Sequence, residues 1–344
     1  MTKYWTKQEA DSLKKLWKSG TWEELQKAIP NRTKESIKTK ANRISLKRNT
    51  PQSNLKSQYN IEKVKDRQLL EEVSKRGYIA YKQKLKQDAE YKYDKRVKTY
   101  KLGIISDTHY GSKHQQHQHL LDFYRLCKHF KVDAILHGGD VVEGNGKLYR
   151  GQLYEMFMFG VETQLDYIVN NYPKIEGIKT YVIGGSHDYS FYKESGFDIL
   201  QHFADERSDI EYLGYTGAYI TFGKIVIYLM HGSGGIAYAR SYKMQKIIEQ
   251  FAPEQKPHIL LLGHYHQPAY LEAYRNVEGF QLKCFQSQTT YLKTKGYFPA
   301  IGGMILTIHQ SNKGLESIEI YNKTYYVPVK NDYISLPKKM REAK

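Results

Sequence analysis

The chain has 344 residues, 40% of them apolar and 31 of them tyrosine, with a formal net charge of +17. Two cysteines, Cys127 and Cys284, exclude a disulfide framework and a cysteine-rich zinc module. No apolar run approaches the roughly 20 residues that a membrane-spanning helix needs, and MTKYWTKQEAD has no secretory pattern. The expectation is a cytoplasmic, non-membrane protein of two or three domains.

The charge is uneven. Residues 1–100 hold 26 Lys and Arg against 12 Asp and Glu, so most of the positive excess sits at one end. A basic module beside a nearly neutral one favours a polyanion partner, most simply nucleic acid; the plainer reading is a solubilising charged surface.

Residues 5–48 predict three short helices. Ala10, Leu13, Leu16 and Trp17 mark one face of the first, and Gly20 ends it. Thr21 with Glu24 makes a capping box for WEELQKAI, which stops at Pro30. Thr33 precedes a third helix with apolar Ile37, Ala41 and Ile44. Arg32, Lys34, Lys38, Lys40, Arg43 and Lys47 place positive charge on and around that helix, as on a helix that enters a DNA groove. The pattern of Trp5-Thr6, Glu9, Leu13, Leu16, Trp22, Leu25, Ile29, Arg32-Thr33, Ile37, Ala41 and Ile44 resembles the Myb/SANT-like helix-turn-helix family. That likeness implies a DNA-binding domain over residues 1–50, although SANT-type relatives bind protein.

A basic, Tyr-rich linker is expected over 51–99, with a helix at 61–76. Tyr78, Tyr81, Tyr91 and Tyr93 among lysines suit either a stacking surface for nucleic acid or an arm packed on the next domain. HQQHQH at 114–119 could mimic a metal tract, but reads as a polar helix start. From residue 100 short apolar strands alternate with helices, the latter expected at 118–130, 152–170 and 240–251. After 269 the pattern turns antiparallel, with FQLKCFQSQTTYL as one strand. This predicts an α/β core with helices outside.

Each strand from 101 to 262 ends in residues of metal-binding type: Asp107-Thr108-His109, Gly139-Asp140, His187-Asp188, His231-Gly232 and Gly263-His264-Tyr265-His266. One such pair is a common turn; five in order point to a dinuclear metal site. The series resembles the metallophosphatase, or calcineurin-like phosphoesterase, superfamily over residues 100–325, leaving 326–344 as a tail. The likeness implies a four-layer α/β/β/α sandwich behind the small all-α domain. It assigns Asp107, His109 and His266 to a first divalent ion, Asp140 to both, and His231 and His264 to a second. It makes His187 the residue that assists the leaving group, with Asp188 orienting its ring. Ser186 stands where the family usually has a ligating Asn, which weakens the second site.

Manganese is the expected metal, with zinc and iron as alternatives. Asn145, Arg150 and Arg240 are candidates for substrate phosphate, against a plain surface-loop role. The functional expectation is a metal-dependent nuclease acting on DNA, with the architecture of a phage or mobile-element protein. Two alternatives stand: a phosphomonoesterase or protein phosphatase, and a DNA-binding protein with a degraded centre.

Overall fold

The computed structural model describes residues 5–17, 22–44, 89–93 and 97–333. The expected 61–76 helix, Tyr78, Tyr81, Lys47 and the last residues of the tail lie outside these. The chain divides into two compact units, Met1–Ala80 and Tyr81–Lys344. Among the described residues no helix is long and apolar enough to cross a membrane.

In the first unit, helices α1 (Lys7–Trp17), α2 (Trp22–Ala28) and α3 (Lys34–Arg43) form as their spacing requires. Leu13, Trp17, Leu25, Ile29, Ile37 and Ala41 bury together, with Trp5 and Trp22 packed at the edge. Each fully buried Leu or Ile contributes about 1.5–3 kcal/mol, so this small core holds the three described helices together. Arg32 ties its ends. Its Nε lies 2.9 Å from Glu9 Oε1, and its guanidinium sits 5.0 Å from the Trp5 ring centre. Glu9 Oε2 also accepts from the Thr6 amide at 2.8 Å.

Arg32 and that amide hold the Glu9 carboxyl down to about 2, below its usual 4.5. A carboxylate lowered in the folded state stabilises above its unfolded value and loses that contribution as pH falls toward the folded one. The module should therefore weaken between about pH 4.5 and pH 2, and Glu9→Gln should flatten that dependence. All three tryptophans, Trp5, Trp17 and Trp22, lie here, so tryptophan fluorescence, excited selectively over tyrosine, reports on this unit alone. An acid transition identical in parent and variant would refute the role of the pair.

The second unit is built on two six-stranded sheets. In chain order the strands are β1 (Ala89–Tyr93), β2 (Thr99–Ile105), β3 (Ala134–His137), β4 (Thr180–Ile183), β5 (Ile210–Gly214), β6 (Gly217–Phe222), β7 (Ile225–Met230), β8 (Ile259–Leu262), β9 (Ala269–Tyr274), β10 (Val277–Gln281), β11 (Gly302–Ser311) and β12 (Gly314–Thr324). One sheet runs β1-β6-β7-β8-β10-β9 and the other β12-β11-β2-β3-β4-β5. Helices α4 (His117–Phe130), α5 (Gln152–Glu155), α6 (Val161–Asn171), α7 (Ser186–Ser195), α8 (Ile199–Glu206), α9 (Tyr242–Gln250) and α10 (Thr290–Thr294) follow the same order.

Strand alternation explains the layering. Tyr100, Leu102 and Ile104 of β2 point into the core shared with Ile220, Ile227 and Leu261 of the other sheet. Ile105 points the other way, into the layer with Leu120, Phe123, Tyr124 and Cys127, one face of α4. On the far side, Met244 and Ile248 of α9 cover Leu260 and Leu262. The result is the expected mixed α/β sandwich.

Several details differ from the sequence reading. Ala89–Tyr93, placed in the linker, is an edge strand paired parallel to β6. Tyr91 Oη lies 3.1 Å from Tyr181 Oη, and Tyr93 donates to the Asp133 carbonyl, so these two rings pack as an arm. The helix read over 152–170 is two helices, split near Gly160, whose φ of 82° breaks the run. FQLKCFQSQTTYL is not one strand: β10 stops at Gln281, and Thr290–Thr294 is helical. β10 also pairs parallel to β8, so the C-terminal part is not purely antiparallel. The start of the tail docks on α4, where Asp332 Oδ2 accepts the Gln118 amide at 2.7 Å.

Candidate metal centre

The loops after β2, β3, β4, β7 and β8 converge at one end of the two sheets. Five of their residues hold backbone conformations unusual for side chains with a Cβ: Asp107 (φ 52°), His109 (46°), Asp140 (53°), His264 (85°) and His266 (57°). Left-handed backbone at such positions costs about 1–3 kcal/mol each and persists only where the surroundings dictate it. Here it turns each carboxylate or imidazole back over the strand ends.

Three groups of ligand atoms result, each lying within 4.8 Å of one another: Asp107, His109 and His266; Asp140, His231 and His264; and His109, Asp140 and His187. The Nε2 atoms of His109 and His266 approach to 3.2 Å, and His266 Nε2 lies 3.2 Å from Asp107 Oδ1. Two neutral imidazole lone pairs face each other at that distance only with a proton or a cation between them. On the other side, buried His231 Nε2 lies 3.2 Å from Asp140 Oδ2 but has no hydrogen-bond partner. Ligands of a common ion lie this way, close together and aimed past each other. The donor set, all carboxylate oxygen and imidazole nitrogen, fits divalent transition ions.

The outer nitrogens are anchored. His231 Nδ1 donates to the Gly138 carbonyl at 2.7 Å, and His264 Nε2 to the Gly234 carbonyl at 2.9 Å. Those bonds turn the opposite nitrogen of each ring toward the ligand group, where a metal would take the place of any proton it carries. Burial, with the nearby His231, pushes His264 down to about 4, which keeps it neutral. His231 moves the other way, up to about 9: burial opposes its charge, but Asp140 outweighs it.

Asp140 sits at the N-terminus of α7, where its Oδ1 accepts the His187 amide at 2.7 Å. The chain can pass so close only because residue 185 is glycine. A Cβ on Gly185 would lie 2.2 Å from Asp140 Oδ1 and 2.4 Å from its amide nitrogen. Ser186 Oγ lies 3.3 Å from Asp140 Oδ2, so its hydroxyl reaches the carboxylate assigned to both ions.

His187 is oriented by a carbonyl: its Nδ1 donates to Glu143 O at 2.7 Å. This corrects the expectation that Asp188 orients the ring. The buried Asp188 carboxylate instead accepts the amides of Val141, Val142 and Gly185 at 3.2, 3.0 and 2.9 Å. It thus fastens the Asp140 loop to the start of α7. Burial, then the Asp140 charge, pushes Asp188 up to about 7.

Two further residues complete the site and were not singled out from sequence. Glu143 is fully buried, with Oε2 3.1 Å from His109 Nδ1 and accepting from Gln286 Nε2 at 2.9 Å. Its signal was a carboxylate three residues after Asp140 in a Gly-rich loop. His137, at the end of β3, accepts the Gly139 amide on Nδ1 at 3.1 Å and lies 3.1 Å from Thr108 Oγ1. Burial drives it down to about 3, so it is a neutral brace under the glycine turn. Gln286 had no sequence signal, because its segment read as strand.

Above these residues lies a cavity of about 150 Å³, lined also by Tyr149, Ile236, Tyr291 and Leu292. A larger one, about 630 Å³, lies by Lys98, Lys224 and Gln310 and contains no imidazole or ligand cluster. The substrate candidates scatter. Asn145 ties its loop to α7, with Nδ2 3.1 Å from Glu194 Oε2. Arg150 lines a neighbouring cavity and not the one over the metal ligands, and Arg240 lines neither. In the first unit Arg32 is engaged with Glu9, while Lys38 and Lys40 lie 5.9 and 5.8 Å from the ring centres of Trp22 and Trp5. Lys34 and Arg43 lie on α3. The histidines of HQQHQH join none of the ligand groups; His117 instead meets Tyr110 Oη at 2.8 Å.

A two-sheet sandwich with carboxylates and imidazoles gathered at its strand ends defines a metallophosphoesterase. The chain belongs to the calcineurin-like phosphoesterase family, whose model matches residues 100–324. Among solved structures it is similar to a conserved uncharacterized protein, a predicted phosphoesterase, from Streptococcus pneumoniae TIGR4. That match has 17% identity, covers 66% of this chain and 99% of that one, and has a TM-score of 0.33. It is also similar to Vps29 of Chaetomium thermophilum, at 12% identity, 68% and 100% coverage and a TM-score of 0.35. No curated protein matches the chain.

Asp107, His109, Asp140, His231, His264 and His266 would hold divalent cations, which would supply positive charge to phosphate oxygens and acidify a water. The protein's own part is to fix the donors, to present His187 on the same cavity, and to shield both from bulk water.

Proposed function

We propose that this protein is a metal-dependent phosphodiesterase that hydrolyses DNA, brought to its substrate by the N-terminal helical module. The observation that carries the reading is the lining of the cavity over the ligands. It holds Tyr149, Tyr265, Tyr291 and Tyr297 but, among the described residues, no Lys or Arg. A phosphomonoester dianion gains most from a cationic side chain beside the metals. A diester carries one charge and two organic arms, which aromatic walls suit better. The basic excess of residues 1–100 supports a polyanionic substrate. Manganese is the metal we expect, with zinc or iron next.

A second reading rests on Ser186: a weak ligand in that place favours a DNA-binding protein that has lost turnover. The test is incubation with manganese on single- and double-stranded DNA and on 4-nitrophenyl phosphate, beside Asp140→Ala. We expect DNA cleavage that the variant lacks. Monoester turnover alone would move the assignment to a phosphomonoesterase or protein phosphatase. Tight DNA binding without turnover would favour the second reading.

A further inference from the structure

Next to the metal cavity lies a second one of about 220 Å³, whose lining includes Tyr149, Arg150, Tyr154, Glu155, Thr290 and Tyr291. The two cavities share Tyr149 and Tyr291. Those rings stack with centres 4.5 Å apart and planes at 29°, forming a wall common to both.

The wall is held in place. Glu155, itself buried, accepts Tyr149 Oη on Oε2 at 2.6 Å and the Thr290 amide on Oε1. One carboxylate therefore joins the loop before α5 to the start of α10. Tyr149 Oη also reaches Glu143 Oε1 at 3.4 Å, linking the wall to the residue that braces His109. Beyond the wall stands Tyr154, 85% exposed, its carbonyl accepting Lys113 Nζ at 2.9 Å. Cations frame the cavity: Arg150 lines it, and Lys295 Nζ lies 5.9 Å from the Tyr291 ring centre.

A rigid aromatic wall, an exposed ring and flanking cations match the chemistry that receives an unpaired nucleobase with phosphates beside it. We propose that this cavity is a nucleobase subsite, which holds the base adjoining the scissile phosphate between Tyr154 and the Tyr149–Tyr291 wall, with Arg150 toward the neighbouring phosphate. The proposal rests on the phosphodiesterase reading above and adds a requirement to it: the base must leave its stack. Single-stranded or frayed DNA would then be preferred to intact duplex.

The test uses the full-length protein with manganese, comparing kcat/KM on a single-stranded oligonucleotide with that on bis(4-nitrophenyl) phosphate, which has no base. Tyr154→Ala should lower the oligonucleotide-to-aryl ratio by about 5- to 150-fold, the range that base–aromatic stacking supplies. Tyr154→Phe, which keeps the ring, should preserve it. An unchanged ratio in Tyr154→Ala, or an equal loss in Tyr154→Phe, would overturn the subsite. Binding of a dinucleotide with an uncleavable methylphosphonate linkage separates the two ideas. If the parent cleaves no DNA, the nuclease reading fails. The subsite then stands if Tyr154→Ala weakens dinucleotide binding, and falls if parent and variant bind it equally or not at all.

Discussion

Replacing His187 by alanine should lower turnover by about 10²–10⁴-fold on whatever phosphoester the protein hydrolyses, the span of a lost general acid. The expectation comes from how the ring is held. Its Nδ1 is committed to the Glu143 carbonyl at 2.7 Å, which turns Nε2 toward the cavity. Burial works against a charge on this ring, but the Asp140 and Glu143 carboxylates outweigh it and favour the protonated form. A protonated imidazole on the cavity wall can hand its proton to a departing oxygen. Because His187 also stands within one of the three ligand groups, the metal content of the variant has to be read alongside its rate. Parent-level metal with collapsed turnover assigns His187 to the leaving group. Loss of one ion in step with turnover would make it a ligand instead, and undiminished turnover would reject both roles.

A single methyl group on Gly185 should do comparable damage without replacing any candidate ligand. The added Cβ in Gly185→Ala would lie 2.2 Å from Asp140 Oδ1 and 2.4 Å from the Asp140 amide nitrogen, too close to both. Neither partner yields easily. The Asp140 carboxylate is fixed by the His187 amide, and the Gly185 amide is fixed by Asp188. The start of α7 must therefore shift away from Asp140, and a shift of that kind separates the two halves of the ligand set. Metal affinity should fall about 10–100-fold, as when the groups that orient ligands are disturbed. Calorimetric titration with manganese reads this directly, and circular dichroism checks that the sandwich remains folded. Metal affinity equal to the parent would show that the close approach of residues 140 and 185 has no part in building the site.

The candidate ligands were legible because each depends on local pattern: an apolar strand followed by Asp or His with glycine beside it. Asp107, Asp140, His231 and His266 could be read one strand end at a time. What could not be read is what those strand ends bring together. Glu143 and Gln286 meet across 143 positions of chain, and no spacing announces that contact. Asp188 shows the converse hazard. The family likeness paired it with His187, yet the helix that begins there turns its carboxylate to the backbone amides of Val141, Val142 and Gly185. The edge strand at Ala89–Tyr93 was hidden by its composition, since lysine between tyrosines reads as a linker until a neighbour supplies the ladder. In the N-terminal module Arg32 was read for its charge, and the fold uses it to clamp Glu9.

The left-handed turns at the metal centre set the terms on which this protein could change over generations. At Asp107, His109, Asp140, His264 and His266 the backbone is held where glycine and asparagine rest more easily than most residues. As long as cations must be held, the ligand side chains outweigh that discomfort. A lineage released from catalysis would find that exchanging these ligands for glycine or asparagine relaxes the chain, so that loss of chemistry and gain of stability run in the same direction. The decay of such a centre is downhill, and its recovery would have to climb back against the fold.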